Sequence, residues 1–155
     1  MLFTASFTGN AFAQISAEVP FRIMELDKAL ETAKNENKKV LINIYADWCP
    51  YCRQMHDQVY PSKEVTDVMK DHFIMVYINI DSEEKVTYLD KTVTHAQFAR
   101  ALQSRSTPTT YFMKPDGEII GHQPGLLSPE IFSGLLKFIA TDAYLTQTFE
   151  EFSGS

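Results

Sequence analysis

Apolar residues recur along this chain with two periods, and the alternation between them outlines the fold. Ile23, Leu26, Ala29, Leu30 and Ala33 stand at helical spacing, with Glu25, Asp27, Lys28 and Glu31 on the other face. This predicts an amphipathic helix over 22–36 that Asn35-Glu36-Asn37 ends. Val40-Leu41-Ile42-Asn43-Ile44-Tyr45-Ala46 is a nearly continuous apolar run rich in β-branched residues, as a central strand covered on both faces requires. Residues 50–70 read as helical, with Pro61 imposing a kink or break. Phe73 to Ile80 predicts a second buried strand, and 81–90 is polar and reads as irregular. Val93 to Leu102 predicts a helix with Phe98, Ala99 and Leu102 on one side. Thr109–Met113 and Glu118–Gly121 predict two strands joined by Lys114-Pro115-Asp116-Gly117, in which Pro presets φ and Gly accepts the strained position. Ser128 and Pro129 open a last helix as N-cap and first residue, with Ile131, Leu135, Leu136, Phe138 and Ile139 apolar.

The first half of this order needs a crossover and hence parallel pairing, whereas the second half ends in an antiparallel hairpin. The expectation is an α/β fold: a mixed sheet of about four strands flanked by helices, formed as a single domain over 14–155. The 155-residue length suits one domain with a full core.

Residues 1–13 stand apart. Ala11-Phe12-Ala13 fits the small-x-small cleavage pattern of a secretory signal, and the residues before it are mildly apolar but carry no Lys or Arg. We expect a truncated signal peptide there, and therefore a periplasmic or secreted protein rather than a cytoplasmic one. No stretch has the ~20 apolar residues of a membrane span. Charge adds one exclusion. The net charge is −6 and the pI about 5.1, with no dense basic block, so a nucleic-acid partner is not expected.

Cysteine narrows the chemistry further. There are two, Cys49 and Cys52, directly after the first strand. A disulfide this short closes almost no loop and restricts the unfolded chain little, so the pair suits making and breaking better than stapling. Pro50 belongs at a helix start, where its missing N–H costs nothing. A thiolate at that helix terminus meets unpaired N–H groups and the positive end of the dipole, which lowers its pKa from about 8.5 toward neutrality. Cys49 occupies the outer position and is expected to attack; Cys52, one turn in, is expected to resolve the mixed disulfide.

Trp48-Cys49-Pro50-Tyr51-Cys52 after the strand Val40–Ala46 resembles the active site of the thioredoxin superfamily, and the resemblance runs from about Val40 to Phe138. Ser106-Thr107-Pro108-Thr109 is similar to that family's cis-proline loop, Asn79-Ile80-Asp81 to its second-strand ending, and Asp116-Gly117-Glu118 with Gly125 to its hairpin turn and late glycine. The resemblance implies a thioredoxin fold and thiol–disulfide oxidoreductase activity on protein substrates, with no organic cofactor and no metal. It implies that Trp48, Pro50, Tyr51, Thr107 and Pro108 position the substrate, and that a membrane thiol reductase supplies electrons to a protein that acts as a monomer. Within the superfamily the chain looks most like periplasmic thioredoxins associated with sulfur-compound oxidation.

Three positions depart from the family pattern. Asn43 stands where a buried aspartate is frequent, and an amide cannot take a proton from Cys52. Tyr77 stands where a lysine often accompanies that aspartate. Pro50-Tyr51 is the inner pair of glutaredoxins. Two alternatives remain open: a metal-binding protein using Cys49, Cys52 and His56, and a net oxidant that introduces disulfides. Otherwise His56 is expected to be a solvated helix residue and His72, His95 and His122 surface residues. Trp48 is expected to be partly buried beside the cysteines, and the methionines to fill the core.

Overall fold

The computed structural model describes residues 19–154, so the expected signal segment lies outside the described residues. Among the described residues the first helix, α1 (Leu26–Glu36), starts later than its periodicity suggests. The residues before it are extended against β2 (Phe73–Asn79): Met75 N–H donates to Arg22 O at 3.0 Å and Met24 N–H to Met75 O at 2.9 Å. Ile23 sits three residues before Leu26 and packs on the core, which mimics a helical repeat, while its backbone shields the outer edge of the sheet. Asn37 ends α1 in the left-handed conformation, at φ 53°, and its N–H is bonded to Ala33 O.

The central strand β1 (Lys39–Tyr45) pairs in parallel with β2, Asn43 opposite Tyr77. It pairs antiparallel with β5 (Thr109–Met113), Ile44 opposite Thr109. β6 (Ile119–Pro124) completes the order β2-β1-β5-β6, which is the mixed four-stranded sheet expected. Alternate β1 side chains serve two cores. Val40, Ile42 and Ile44 meet α1 and α4 (His95–Ala101). Leu41 and Tyr45 meet Cys49, Cys52, Met55, Tyr60, Phe73, Phe112 and the helix α5 (Pro129–Ala140). Ser128 Oγ accepts from Ile131 N–H to cap α5, as its position predicts. Past it, the short helix α6 (Phe149–Ser153) sets Phe149 and Phe152 against Phe138.

The helical stretch after β1 has three parts. α2 (Pro50–Gln54) widens over Met55–Val59, where Tyr60 N–H reaches Met55 O across five residues. The chain breaks at Pro61 and restarts as α3 (Lys63–His72). The extra residue in the widened turn carries Tyr60 fully into the core, where its ring packs edge-on against Phe132.

One expectation is corrected. The segment read as irregular contains a hairpin, β3 (Lys85–Tyr88) and β4 (Lys91–Thr94), so α4 begins at His95 and not at Val93. The turn holds Leu89 at φ 45° and Asp90 at φ 67°. Two consecutive positive φ values are the geometry for which Asn-Gly is the usual signature, and Leu-Asp does not announce it. Of the hairpin's strand residues only Val86 and Thr94 are buried, while Lys85, Thr87, Lys91 and Thr92 make the stretch read as solvated. The turn packs on the other hairpin: Tyr88 Oη donates to Gly117 O at 2.7 Å, and a Cβ on Gly117 would meet Leu89 at 3.0 Å. Among the described residues no helix is long and apolar enough to cross a membrane.

Candidate active site

The carboxyl end of β1 delivers the chain into Trp48-Cys49 and then into α2. Cys49 is the N-cap of that helix, extended at φ −86° and ψ 109°, and Pro50 is its first residue. Cys49 and Cys52 are joined in a disulfide with their Cα atoms 5.3 Å apart. Cys49 Sγ accepts the Cys52 N–H at 3.1 Å, so the sulfur already holds one of the helix's otherwise unpaired donors. Both are nearly closed off, with Cys49 4% and Cys52 2% exposed.

Pro108 is brought to the same end of the sheet. The Thr107–Pro108 bond is cis. Thr109, the next residue, is paired with Ile44 just before the chain leaves β1 for Cys49. Pro108 is buried, with its carbonyl accepting from Gly125 N–H at 2.8 Å, and Thr107 is half-buried beside it. Gly125 holds a φ of +87°, a conformation side-chain-bearing residues seldom adopt. The structure thus gathers the cysteine pair, Trp48, Pro50, Tyr51, Thr107 and Pro108 at one end of β1 and β5.

Trp48 differs from its expectation. It is 68% exposed and Tyr51 62%, so two aromatic rings stand out of the surface on either side of Cys49-Pro50. A hydrogen-bond chain anchors the indole: Trp48 Nε1–H donates to Asp81 Oδ2 at 2.7 Å, Asp81 N–H to Asn79 Oδ1 at 3.0 Å, and Asn79 Nδ2–H to Asp47 Oδ2 at 3.0 Å. His95 is buried rather than superficial, and its Nδ1 accepts from Asn79 N–H at 3.3 Å. Asp47, Asn79, Asp81 and His95 were not singled out by sequence as a unit. They lie on three separate segments and carry no local spacing.

Beneath the pair lies a polar group of residues. Asn43 is fully buried, and among the described residues neither atom of its amide has a hydrogen-bond partner. His56 also departs from its expectation as a solvated residue. Its ring stacks on Tyr77 with centroids 4.9 Å apart and meets Tyr45 and Tyr60 edge-on at 6.2 and 5.4 Å. His56 Nδ1 is 3.1 Å from Tyr77 Oη, while Nε2 is buried without a partner. Burial holds the imidazole down at about 4, against a small opposing pull from Asp57. It also pushes the Tyr60 and Tyr77 phenols up, with Thr110 offsetting part of the effect at Tyr60. The signal for His56 was present in the sequence: Cys52, Met55, His56 and Val59 form an i, i+3, i+4, i+7 stripe, and the other three are buried. His72 and His122 are exposed as expected, and Met55, Met69, Met75 and Met113 are in the core.

Burial also lowers His95. Both histidines bind protons more weakly in the folded chain than the ordinary value near 6.5. Their contribution to stability is therefore full above that value and is lost as pH falls through it, for His56 down to about 4. The urea midpoint is expected to drop between about pH 7 and pH 5, with a slope of at most about 1.4 kcal/mol per pH unit per histidine. A midpoint flat over that window would mean that both rings take up protons as readily in the folded chain as in the unfolded one.

The sequence matches the family described as Thioredoxin-like domain over residues 26–140. The chain belongs to that family. Among its relatives, the thiol:disulfide interchange protein DsbD of Pseudoalteromonas atlantica is 27% identical over 124 residues, which cover 79% of this chain and 19% of that protein. The thiol-disulfide oxidoreductase ResA of Oceanobacillus iheyensis is 29% identical over 136 residues, 82% of this chain and 67% of its own. This chain therefore spans about a fifth of the length of the DsbD relative. A thioredoxin-fold protein from Helicobacter pylori superposes with a TM-score of 0.72 at 20% identity, covering 92% of this chain and 89% of the other, a likeness of fold. A thioredoxin-like domain with a closed Cys-x-x-Cys pair at the head of a helix is a disulfide oxidoreductase. The alternative of a metal centre on Cys49, Cys52 and His56 finds no support in the arrangement. Among the described residues no three His, Cys, Asp or Glu side chains converge as ligands, and His56 Nδ1 faces Tyr77.

Proposed function

We propose that this thioredoxin-like chain reduces disulfides in protein substrates outside the cytoplasm, in a periplasm or an equivalent compartment. The observation that carries the reading is the Cys49–Cys52 disulfide on the α2 N-cap, with Cys49 Sγ already accepting a helix N–H. In the reduced protein that environment favours a Cys49 thiolate. The thiolate attacks one sulfur of a substrate disulfide and forms a mixed disulfide, and the other substrate sulfur leaves with the electron pair. Cys52 then attacks Cys49 Sγ and the second substrate sulfur departs as a thiolate, so that two electrons pass to the substrate and the observed disulfide is restored.

Substrate binding falls to the surroundings. Trp48 and Tyr51 offer apolar area on either side of the cysteines, and the Thr107–Pro108 segment lies across the end of the sheet to receive an extended peptide. The Ala11-Phe12-Ala13 pattern supports export. Regeneration needs a dithiol donor, for which a membrane thiol reductase exchanging with Cys49–Cys52 is the class we propose.

The test is an equilibrium redox titration in a thiol–disulfide buffer, read by the fluorescence of Trp48, the sole tryptophan, adjacent to Cys49. A midpoint at or below about −230 mV supports the reductase reading, and one near about −120 mV would make the chain a disulfide donor instead.

A further inference from the structure

Resolution of the mixed disulfide requires Cys52, a thiol 2% exposed, to lose its proton where bulk water barely reaches. The reduced substrate cannot leave until this happens, so the location of the proton acceptor bears on the rate. Asn43, on the adjoining strand, is an amide and has no basic lone pair. Tyr60 and Tyr77, which pack on the same side of the sheet as the cysteines, hold their phenolic protons more tightly than usual because they are buried. Tyr45 is raised in the same way, first by burial and then by Asp47. Asp57 is exposed.

That leaves His56. It follows Cys52 by four residues, the separation that sets two side chains on one face of a regular helix. Cys52 lies in the regular turn Pro50–Gln54, and His56 is the second residue of the widened Met55–Val59 segment that follows it. Burial opposes the charged ring and holds it down at about 4, and four features work in the other direction. Its Nε2 is buried and has no partner. Its Nδ1 is fixed against Tyr77 Oη. A proton on Nδ1, donated to that oxygen, leaves Nε2 with the free lone pair. The face stacked on Tyr77 offers a π surface to the imidazolium once it forms.

We propose that His56, oriented by Tyr77, accepts the Cys52 thiol proton at Nε2 during resolution of the mixed disulfide. The step is balanced. Cys52 S–H gives its proton to Nε2, and the resulting thiolate forms the bond to Cys49 Sγ. The bond from Cys49 Sγ to the substrate sulfur breaks, and that sulfur leaves with the electron pair. The imidazolium then returns its proton to the departing thiolate or to solvent, which restores the neutral ring. Tyr77 is a positioning residue in this scheme, since it touches the imidazole and not the sulfurs. The proposal rests on the reading of Cys49 as nucleophile and Cys52 as resolving thiol.

Stopped-flow reaction of the reduced full chain with dithiobis-nitrobenzoate separates the steps. One coloured thiolate is released on attack by Cys49 and the second on resolution by Cys52. In His56→Gln the first phase is expected to be unchanged and the second slower on the order of 10²-fold near neutral pH, the low end of what a positioned base contributes. The second phase of the variant should continue to rise with pH toward the range of a free thiol, about 8.5, whereas that of the parent levels off earlier. Tyr77→Phe keeps the ring stack and removes the bond to Nδ1, so it should shift the pH profile in the same direction by less. A second phase with unchanged rate and unchanged pH profile in His56→Gln would overturn the proposal. If that variant loses both phases through misfolding, an unchanged profile in Tyr77→Phe would overturn it equally. Absence of the first phase in the parent protein would overturn the role of Cys49 itself, and this proposal with it, so the two failures are distinguishable.

Discussion

Cys49→Ser is expected to lose disulfide reduction completely, to the rate of the uncatalysed dithiol. A serine hydroxyl at the α2 N-cap can still accept the Cys52 N–H, but it is not ionised near neutral pH and forms no stable bond to a substrate sulfur. The fold should survive, because the disulfide encloses only two residues and restricts the unfolded chain little. The paired variant Cys52→Ser should behave differently. It retains the attacking thiol but cannot close the pair, so protein substrates should accumulate on Cys49 as mixed disulfides, visible as adducts on non-reducing gels that collapse with reductant. An insulin-reduction assay with dithiothreitol as electron source checks the first variant. Full activity in Cys49→Ser, or no trapped adduct in Cys52→Ser, would sink the assignment of roles.

The second large effect is expected at Asn43, and it is one of stability. Asn43→Asp places a carboxyl at a fully buried position whose lateral neighbours are Tyr77 and Thr110, with no cation among them. An unpaired buried carboxylate costs several kcal/mol, so the folded chain should keep the acid protonated and raise its pKa above the ordinary value of about 3.9. A raised folded pKa means that the native state binds the proton more tightly than the unfolded chain. The variant should therefore be close to the parent below about pH 4 and lose stability as pH rises from there through the raised value, by about 3 kcal/mol or more at neutral pH. Urea unfolding at several pH values measures it. A variant as stable as the parent at pH 7 would show that the site solvates a charge. In the parent, the unpartnered amide already carries a cost of about 1–3 kcal/mol, the usual penalty for a buried polar group without a bond. The functional site thus includes a local defect that the surrounding core holds in place.

The two redox partners and the buried polar group differ in how visible they are from the chain alone. Cys49 and Cys52 are neighbours on one helical turn, so their juxtaposition is a local property that spacing reveals. The strands β1, β2 and β5 announce themselves by runs rich in apolar and β-branched residues, because each is covered on both faces. The β3–β4 hairpin was not legible, since its turn runs through Leu89 and Asp90 and only Val86 and Thr94 of its strands are buried. The start of α1 was overrun by three to four residues because Ile23 serves the core from an extended segment, and hydrophobic spacing cannot tell that from a helical turn.

Histidine gives the clearest division. His56 and His95 were expected at the surface on composition alone, yet one closes the stack of Tyr45, Tyr60 and Tyr77 and the other receives the Asn79 amide. The Cys52, Met55, His56 and Val59 stripe marks the inward face for His56, but what that ring meets, and the burial of His95, depend on which strands lie opposite, and sequence distance carries no record of that.

By itself, then, the sequence determined what is local: the order of elements, the helix caps, the apolar faces, and the Cys49–Cys52 pair at a strand-to-helix junction. These follow from dihedral preferences and from periodicities within a few residues. Tertiary structure alone decided what is nonlocal. It brought Pro108 to the end of β1 through the pairing of Ile44 with Thr109, anchored Trp48 on Asp81 across 33 residues, and placed the His56 ring on Tyr77 21 residues away. The physical reason is that sheet pairing and core packing join segments through contacts whose partners are far apart in the chain, so the chemistry beneath the cysteines exists only once the sheet is assembled.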